Sequence, residues 1–326
     1  MSGHVARRYL DVKVFEFYLD VKIKENAVSE TRDACLAASA PVIWGSTYIV
    51  TSQLLPAGYP LTDAVLRALP AGLILLILTR QMPPRAWLGR LAILGALNFA
   101  IFWSALFVAA YRLPGGVAAT LGAVQPLIVL LLARAILGSP LTARGVLAAL
   151  AGIGGVALLV LSPTAGIDGI GVAAALIGAV SMAAGTVLTR RWRPPVSALT
   201  FTAWQLTAGG LLLLPVVPLV EPALPGLTLA NVAGFLWLGL AGAALSYVLW
   251  FRGIARLGPV AVTGFGFLSP LTAVLLGWVV LGEALTPLQM LGAAIVLGCV
   301  RFGRGPTRTP SEAGASQPLQ PLASSR

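Results

Sequence analysis

The sequence predicts an all-α integral membrane protein with ten transmembrane helices, built as two inverted five-helix repeats. The first observation behind this prediction is composition. The chain has 326 residues, of which 58% are hydrophobic and only 10% are charged, and its mean hydropathy is +0.90. A soluble domain typically has about a quarter charged residues. The second and third observations are the regular spacing of long apolar segments and an internal repeat.

Ten apolar segments are long enough to cross a bilayer, which requires about 20 mostly apolar residues in helical form. They lie at about 36–55, 62–79, 89–110, 114–133, 144–161, 170–189, 197–219, 231–250, 259–280 and 287–302. The connections between them are short and contain turn-forming residues such as Pro56-Ala57-Gly58. They leave no room for a catalytic domain outside the membrane.

The distribution of charge predicts the orientation of these helices. The net charge is +11, but the 16 arginines beyond residue 33 are scattered between apolar runs, which is a membrane-topology pattern and not a nucleic-acid-binding stripe. With the N-terminus in the cytoplasm, 14 arginines fall in cytoplasmic connections and the C-terminal tail, and only Arg112 falls outside. Both termini are therefore predicted to be cytoplasmic. The expected partners are the lipid bilayer and a small-molecule substrate; a homodimer is left open.

Composition also divides the chain into four parts. Residues 1–33 hold all three lysines and six of the eleven acids, and we expect a poorly ordered cytoplasmic extension, with an amphipathic surface helix as the alternative. Residues 34–161 and 169–302 form the first and second repeats. Residues 303–326 are rich in Pro, Ser and Gly, which predicts a disordered cytoplasmic tail.

The repeat is visible when the sequence is shifted against itself. A shift of 144 places Arg112-Leu113 on Arg256-Leu257, and about 15 of the 45 positions from 112 to 156 are identical. A shift of 138 places residues 61–73 on 199–211. Because five helices is an odd number, the second half enters the membrane from the opposite side. Inverted repeats of this kind support alternating access to a central site, and therefore predict transport. A duplication retained for stability alone is the alternative.

The two halves resemble the drug/metabolite transporter superfamily, in particular its EamA-type branch. The resemblance covers about residues 34–302. It is carried by PVIWGSTYIV (41–50) and LRALPAGLILL (66–76) in the first half, and in the second by LTFTAWQLTAGGLLLLP (199–215) and LSPLTAVLLGWVVLGEALTPLQMLGAAIVLGCV (268–300). The resemblance implies ten helices and transport, usually export, of small metabolites such as amino acids across the bacterial inner membrane. One departure is Ser139, which occupies the position where the second repeat has Glu283.

Polar and aromatic residues near the membrane centre are the candidates for substrate binding. The set is Trp44, Asn98, Phe102, Trp103, Gln125, Ser246, Tyr247 and Ser269. A pocket with aromatic walls and a few polar groups suits amphipathic molecules. Taken singly, each of these residues could also serve helix packing or an interfacial belt. Pro126 and Pro270 recur in the two halves and are predicted to lie in mid-helix kinks that act as hinges, with plain packing kinks as the alternative.

Three ionisable residues in or near the spans are candidates for charge recognition or coupling. Arg67 lies about six residues inside the second helix, where it could attract a substrate carboxylate, pair with Asp63 one turn away, or pack against helix ends. Gln205 occupies the matching position of the second half. Asp63 and Glu283 are both predicted near the outer face, so coupling through a central carboxylate is not expected.

The sequence gives no indication of a catalytic, metal or cofactor site. There is one histidine, His4, and the two cysteines, Cys35 and Cys299, cannot form a disulfide framework. The leading interpretation is a secondary transporter of small amphipathic metabolites such as amino acids. An exchanger of phosphorylated metabolites or drug-like cations is the alternative substrate class. An intramembrane enzyme or a membrane sensor subunit is a remote alternative.

Overall fold

The computed structural model describes residues 29–113, 121–160, 168–282 and 285–302, and all regular secondary structure within these ranges is helical. The helices are α1 (Ser29–Leu54), α2 (Pro60–Thr79), α3 (Arg85–Ala109), α4 (Gln125–Leu137), α5 (Ala143–Val160), α6 (Gly169–Arg191), α7 (Ala198–Val220), α8 (Leu229–Leu257), α9 (Pro259–Leu281) and α10 (Pro287–Phe302). Within the described ranges, seven of them are long and apolar enough to cross a membrane, namely all except α4, α5 and α10.

The ends of these helices follow from local sequence. Pro60 begins α2, where its missing N–H costs no hydrogen bond. The side chain of Asp168 accepts a hydrogen bond from Gly171 N at the start of α6, and Ser197 accepts one from Thr200 N at the start of α7. Short polar side chains at these positions satisfy amides that have no partner inside the helix.

The helix boundaries differ from the predicted spans in two places. α1 begins at Ser29, so residues 29–33, assigned above to the extension, are helical. α4 runs from Gln125 to Leu137 and passes the predicted end of its span by four residues, while residues 114–120 lie outside the described ranges. The C-terminal tail from residue 303 also lies outside them.

Helix packing has a regular pattern when the helices are numbered along the chain. α2 packs on α7, and α5 packs on α10. α3 packs on α6 and α7, while α8 packs on α1 and α2. α4 contacts α6, as α9 contacts α1. If five is added to each helix number, and numbers above ten are reduced by ten, each of these pairs becomes another pair of the set or stays the same pair.

Two helix ends show the same correspondence in backbone conformation. α4 ends at Gly138 with φ of 67°, and α9 ends at Gly282 with φ of 70°. These glycines are 144 residues apart, the spacing of the internal repeat. The left-handed conformation is accessible to glycine without the steric penalty of a Cβ atom, so both helices end by the same mechanism.

The two halves are in close contact at the crossing of α2 and α7. A Cβ atom built on Gly72 would lie 2.5 Å from Thr207 N, and one built on Gly210 would lie 2.7 Å from Leu69 Cβ. Glycine therefore allows the two backbones to pack in direct contact, as small residues commonly do between transmembrane helices. This crossing joins the N-terminal and C-terminal halves.

We expect Gly72→Val to destabilise the protein, because the new side chain would overlap the backbone of α7. Overpacking of this kind typically costs about 1–3 kcal/mol. Thermal unfolding in detergent micelles measures the effect. Gly154→Val in α5 is the matched control, since an added Cβ there meets nothing within 4 Å. Equal melting temperatures for the two variants would contradict the packing described.

Candidate functional site

Two helices near the centre of the bundle depart from α-helical geometry at corresponding positions. α3 contains a π-helical segment at Ala96–Ala100, and α8 contains one at Trp237–Leu245. A shift of 144 places residues 96–100 on 240–244, inside the second segment. π segments widen the helix and are often found at functional sites. Both segments face the region where the two halves meet.

A group of five rings, four of them buried and that of Trp44 half-buried, connects α1, α3 and α8 and is here called the aromatic cluster. Its members are Trp44, Phe99, Trp103, Tyr247 and Trp250. The ring of Tyr247 lies 4.9 Å from Trp44, 4.7 Å from Phe99 and 6.1 Å from Trp103, measured between centroids. Trp103 and Tyr247 are 144 residues apart and pack edge to face. This contact places the aromatic cluster where the N-terminal and C-terminal halves meet.

One backbone carbonyl beside the aromatic cluster accepts hydrogen bonds from side chains of two helices, and a third helix joins this network through Trp44. Arg67 Nη2 donates to the carbonyl oxygen of Gly242 at 2.8 Å, and its guanidinium lies 4.8 Å from the ring centroid of Trp103. Ser246 Oγ also donates to Gly242 O at 2.8 Å, and it accepts a hydrogen bond from Trp44 Nε1 at 2.8 Å. Arg67 is only 5% exposed. A buried cation is thus held by a π segment of the opposite half.

A second polar group lies where α3, α6 and α7 meet. Asn98 Nδ2 donates to Gln205 Oε1 at 2.8 Å and to Thr189 Oγ1 at 3.2 Å, and all three residues are buried. Gln205 corresponds to Arg67 under the shift of 138, and Asn98 corresponds to Gly242 under the shift of 144. The contact between Arg67 and Gly242 therefore has a repeat-related counterpart in the contact between Gln205 and Asn98.

Charged residues connect the helices near their ends. The carboxylate of Glu221 accepts hydrogen bonds from Leu61 N at 2.5 Å and Thr62 N at 2.8 Å, and so caps α2 from the segment that follows α7. At the opposite end of the bundle, Arg252 forms an ion pair with Asp33 at 2.5 Å. These contacts join the two halves at both predicted membrane faces.

The structure brings together four of the eight predicted substrate-binding residues. Trp44, Trp103 and Tyr247 belong to the aromatic cluster, Ser246 binds Trp44, and Arg67 lies beside them, while Asn98 belongs to the second polar group. Three of the predicted residues lie elsewhere. Phe102 packs toward Gly178 of α6, and Gln125 and Ser269 are half-buried in α4 and α9.

The two prolines follow irregular segments of their helices. Pro126 is in the first turn of α4, after a turn at residues 123–124, and Pro270 lies within α9, in the first turn of the α-helical segment Leu268–Leu281. In a first turn the missing N–H removes no α-helical hydrogen bond. The helix is irregular before each proline, with 3₁₀ geometry at Gly264–Phe267. A hinge role for these positions stays a prediction.

The structure describes one of the two carboxylates that are candidates for coupling. Asp63 is buried near the start of α2, and its Oδ1 atom has no hydrogen-bond partner in the part of the chain that the structure describes. Glu283 lies outside the described residues. Within the described ranges, no group of three or more His, Cys, Asp and Glu residues could hold a metal ion.

Sequence reasoning missed Gly242, Thr189 and Phe99. Gly242 takes part through its backbone carbonyl, and the residue type at a position does not reveal a backbone contact. The repeat could have identified it, because Gly242 is the position equivalent to Asn98 under the shift of 144. Thr189 and Phe99 resemble ordinary helix-packing residues and have no distinguishing pattern.

Apolar helices around a buried aromatic and polar centre define a multi-pass membrane protein. The sequence model of the EamA-like transporter family matches residues 32–161 and, a second time, residues 169–302. The chain belongs to the EamA-like transporter family. The resemblance drawn from the sequence motifs is thereby confirmed.

Three relatives are similar to the chain over most of its length, and two of them have names that describe a transporter or exporter. The chain is 47% identical to Protein PecM of Dickeya dadantii over 263 residues, covering 80% of this chain and 88% of PecM. It is 31% identical to "Uncharacterized inner membrane transporter YedA" of Escherichia coli K12 over 270 residues, or 79% of this chain and 86% of that one. A "Probable terminal-alkyne amino-acid exporter" of Streptantibioticus cattleyicolor is 28% identical over 218 residues, with coverage of 65% and 72%.

A solved crystal structure has the same fold. It superposes with a TM-score of 0.71 and covers 83% of this chain and 98% of that chain, at 19% sequence identity. At this identity the likeness supports the arrangement of helices alone.

The double variant Asn98→Leu/Gln205→Leu should destabilise the protein less than the sum of the two single variants predicts. Each single variant leaves one buried amide without its partner, which typically costs about 1–3 kcal/mol. The coupling energy should be about 0.6–1 kcal/mol, as for other hydrogen bonds between transmembrane helices. A double-mutant cycle, measured by unfolding in mixed micelles, gives this value. Gln205→Leu combined with Gln53→Leu at an exposed site should be additive; a zero coupling energy for the buried pair would refute the prediction.

Proposed function

We propose that this protein is a secondary transporter that exports small amphipathic metabolites, such as amino acids, from the bacterial cytoplasm. The proposed mechanism is alternating access between two inverted five-helix repeats, residues 34–161 and 169–302. The observation that carries this proposal is the pair of repeat-related contacts, from Arg67 to Gly242 and from Gln205 to Asn98, on either side of the aromatic cluster.

Three observations support the inverted repeat. The helix pairs are converted into one another by adding five to each helix number. The π segments and the glycine helix ends recur at a spacing of 144 residues. The family model matches the chain twice. We infer that α4, α5 and α10 also cross the membrane, because α5 and α10 pack on each other and α4 packs on the spanning helix α6. The 18 residues of α5 alone extend about 27 Å.

An inverted repeat has a direct mechanical consequence for transport. Two halves related by an axis in the membrane plane have equivalent conformations in which the central site opens to one face or to the other. Aromatic rings and buried polar groups from both halves meet at this axis. The arrangement supports binding of a ligand between the halves in preference to catalysis by a fixed set of reactive groups.

The chemistry of the centre favours amphipathic substrates. The aromatic cluster offers apolar ring faces, while Arg67, Ser246 and Asn98 offer hydrogen-bonding groups next to them. One relative is named as an amino-acid exporter. Phosphorylated metabolites are the alternative class, but several basic groups would be expected for them, and Arg67 is the one arginine beyond residue 33 that lies inside a predicted span away from its ends. Drug-like cations would be repelled by that charge.

The proposed orientation places both termini in the cytoplasm of a bacterial inner membrane. The arginine distribution supports it, and so does the name of one relative, which is an inner membrane transporter. Asp63 is the candidate for ion coupling that lies in the described part of the chain, since its carboxylate is buried near the predicted outer face. Glu283 is retained as the second candidate.

Counterflow in proteoliposomes tests the transport function. Vesicles preloaded with unlabelled amino acids should accumulate a labelled amino acid in a saturable manner, because exchange requires only alternating access. Tyr247→Leu should reduce the initial rate severalfold without lowering the amount of inserted protein, since it removes the ring at the centre of the aromatic cluster. Leu229→Ala, at an 87% exposed position, is the control. Absence of exchange for every amino acid in folded protein would overturn the proposed substrate class.

Labelling of introduced cysteines tests the orientation. In a background with Cys35 and Cys299 replaced by Ser, a membrane-impermeant maleimide applied to spheroplasts should modify Gly226→Cys and leave Met82→Cys unmodified. Gly226 is in a predicted outer connection, and Met82 is 74% exposed in a predicted cytoplasmic one. Permeabilised cells should give labelling at both sites. The reverse result in spheroplasts would show that the orientation is opposite.

A further inference from the structure

The two repeat-related contacts differ in charge, although they occupy equivalent positions. In the first half, a cation on α2 binds a backbone carbonyl, through Arg67 Nη2 and Gly242 O at 2.8 Å. In the second half, a neutral amide on α7 binds another neutral amide, through Gln205 Oε1 and Asn98 Nδ2 at 2.8 Å. The central region therefore carries a fixed positive charge on one side only.

This difference determines which contact an anion can replace. A guanidinium binds a carboxylate through charge-assisted and often bidentate hydrogen bonds, which are roughly twice as strong as bonds between neutral groups. Gly242 O offers Arg67 a neutral acceptor, so a carboxylate that reaches Arg67 competes favourably with it. The Gln205–Asn98 pair gains no comparable advantage from an anion. Arg67 can thus exchange a partner within the protein for a partner on the substrate.

We propose that Arg67 binds the carboxylate of the transported molecule, and that this carboxylate displaces the carbonyl of Gly242. The inference rests on the transport function proposed above and specifies its substrate class as carboxylates with an apolar or aromatic group. The ring of Trp103, 4.8 Å from the guanidinium, places an apolar surface next to the charge. The substrate's apolar part packs there while its carboxylate binds Arg67.

Displacement of Gly242 O also breaks a contact between α2 and α8. The contact between Arg67 and Gly242 joins α2 to the π segment of α8, and the same carbonyl accepts a hydrogen bond from Ser246, which in turn binds Trp44 of α1. Release of Arg67 therefore removes a buried hydrogen bond between α2 and the π segment, while the Ser246 and Trp44 contacts keep α8 attached to α1. Binding of a carboxylate in this way favours movement of α1 and α8 together, away from α2.

Counterflow of labelled L-phenylalanine and L-phenylalaninamide tests the specificity. The amide has the same ring but no carboxylate. In wild-type vesicles we expect L-phenylalanine to exchange about tenfold or more faster than the amide, as sites that bind a polar group discriminate against analogues without it. Arg67→Gln introduces the residue that the second repeat has at this position. It should lose most L-phenylalanine exchange, retain exchange of the amide, and bring the ratio close to one. Arg67→Lys should retain part of the discrimination.

Hydrogen–deuterium exchange of the amides at residues 237–245 provides a second measurement that does not depend on transport. Saturating 3-phenylpropionate should increase exchange there in the wild type, and should leave Arg67→Gln unchanged. Equal loss of both substrates in Arg67→Gln, or no discrimination in the wild type, would show that Arg67 serves packing and would overturn the inference alone. Failure of wild-type protein to exchange any amino acid would overturn the proposed function as well.

Discussion

Polar groups in the interior of this protein depend on partners within the protein, because the hydrocarbon of a bilayer contains no water to replace them. The helices satisfy their backbone groups internally. The two π segments depart from regular α-helical hydrogen bonding, and the polar side chains of the centre lie beside them. Arg67 is held at one segment and Gln205 at the other. The constraint thus explains why the polar centre and the irregular backbone coincide.

The same constraint explains how two sequence repeats produce one folded unit. Each π segment has a polar partner from the other half: α8 receives Arg67 from the first half, and α3 receives Gln205 from the second. The glycine contact between α2 and α7 joins the two helices that carry Arg67 and Gln205. Reciprocal contacts of this kind make each half depend on the other. They are also contacts that a rocking motion must break and re-form.

The sequence predicted the helices, the positions of most of the polar centre and the correspondence of Arg67 with Gln205, because hydropathy and self-similarity are properties of side chains. It did not predict the π segments. Ala96–Ala100 and Trp237–Leu245 are ordinary apolar sequences, and their geometry follows from packing between halves. Gly242 was missed because its functional group belongs to the backbone.

The capping of α2 by Glu221 has a consequence for the order of assembly. The amides of Leu61 and Thr62 bind a carboxylate that is about 160 residues further along the chain. During synthesis, α2 therefore enters the membrane long before its cap exists, and its first turn must be solvated by interfacial water or lipid headgroups until α7 has been inserted. The first repeat is consequently an incomplete structure until the first two helices of the second repeat have been made. Completion of α2 becomes one of the late steps of biogenesis, although α2 is the second helix to be made.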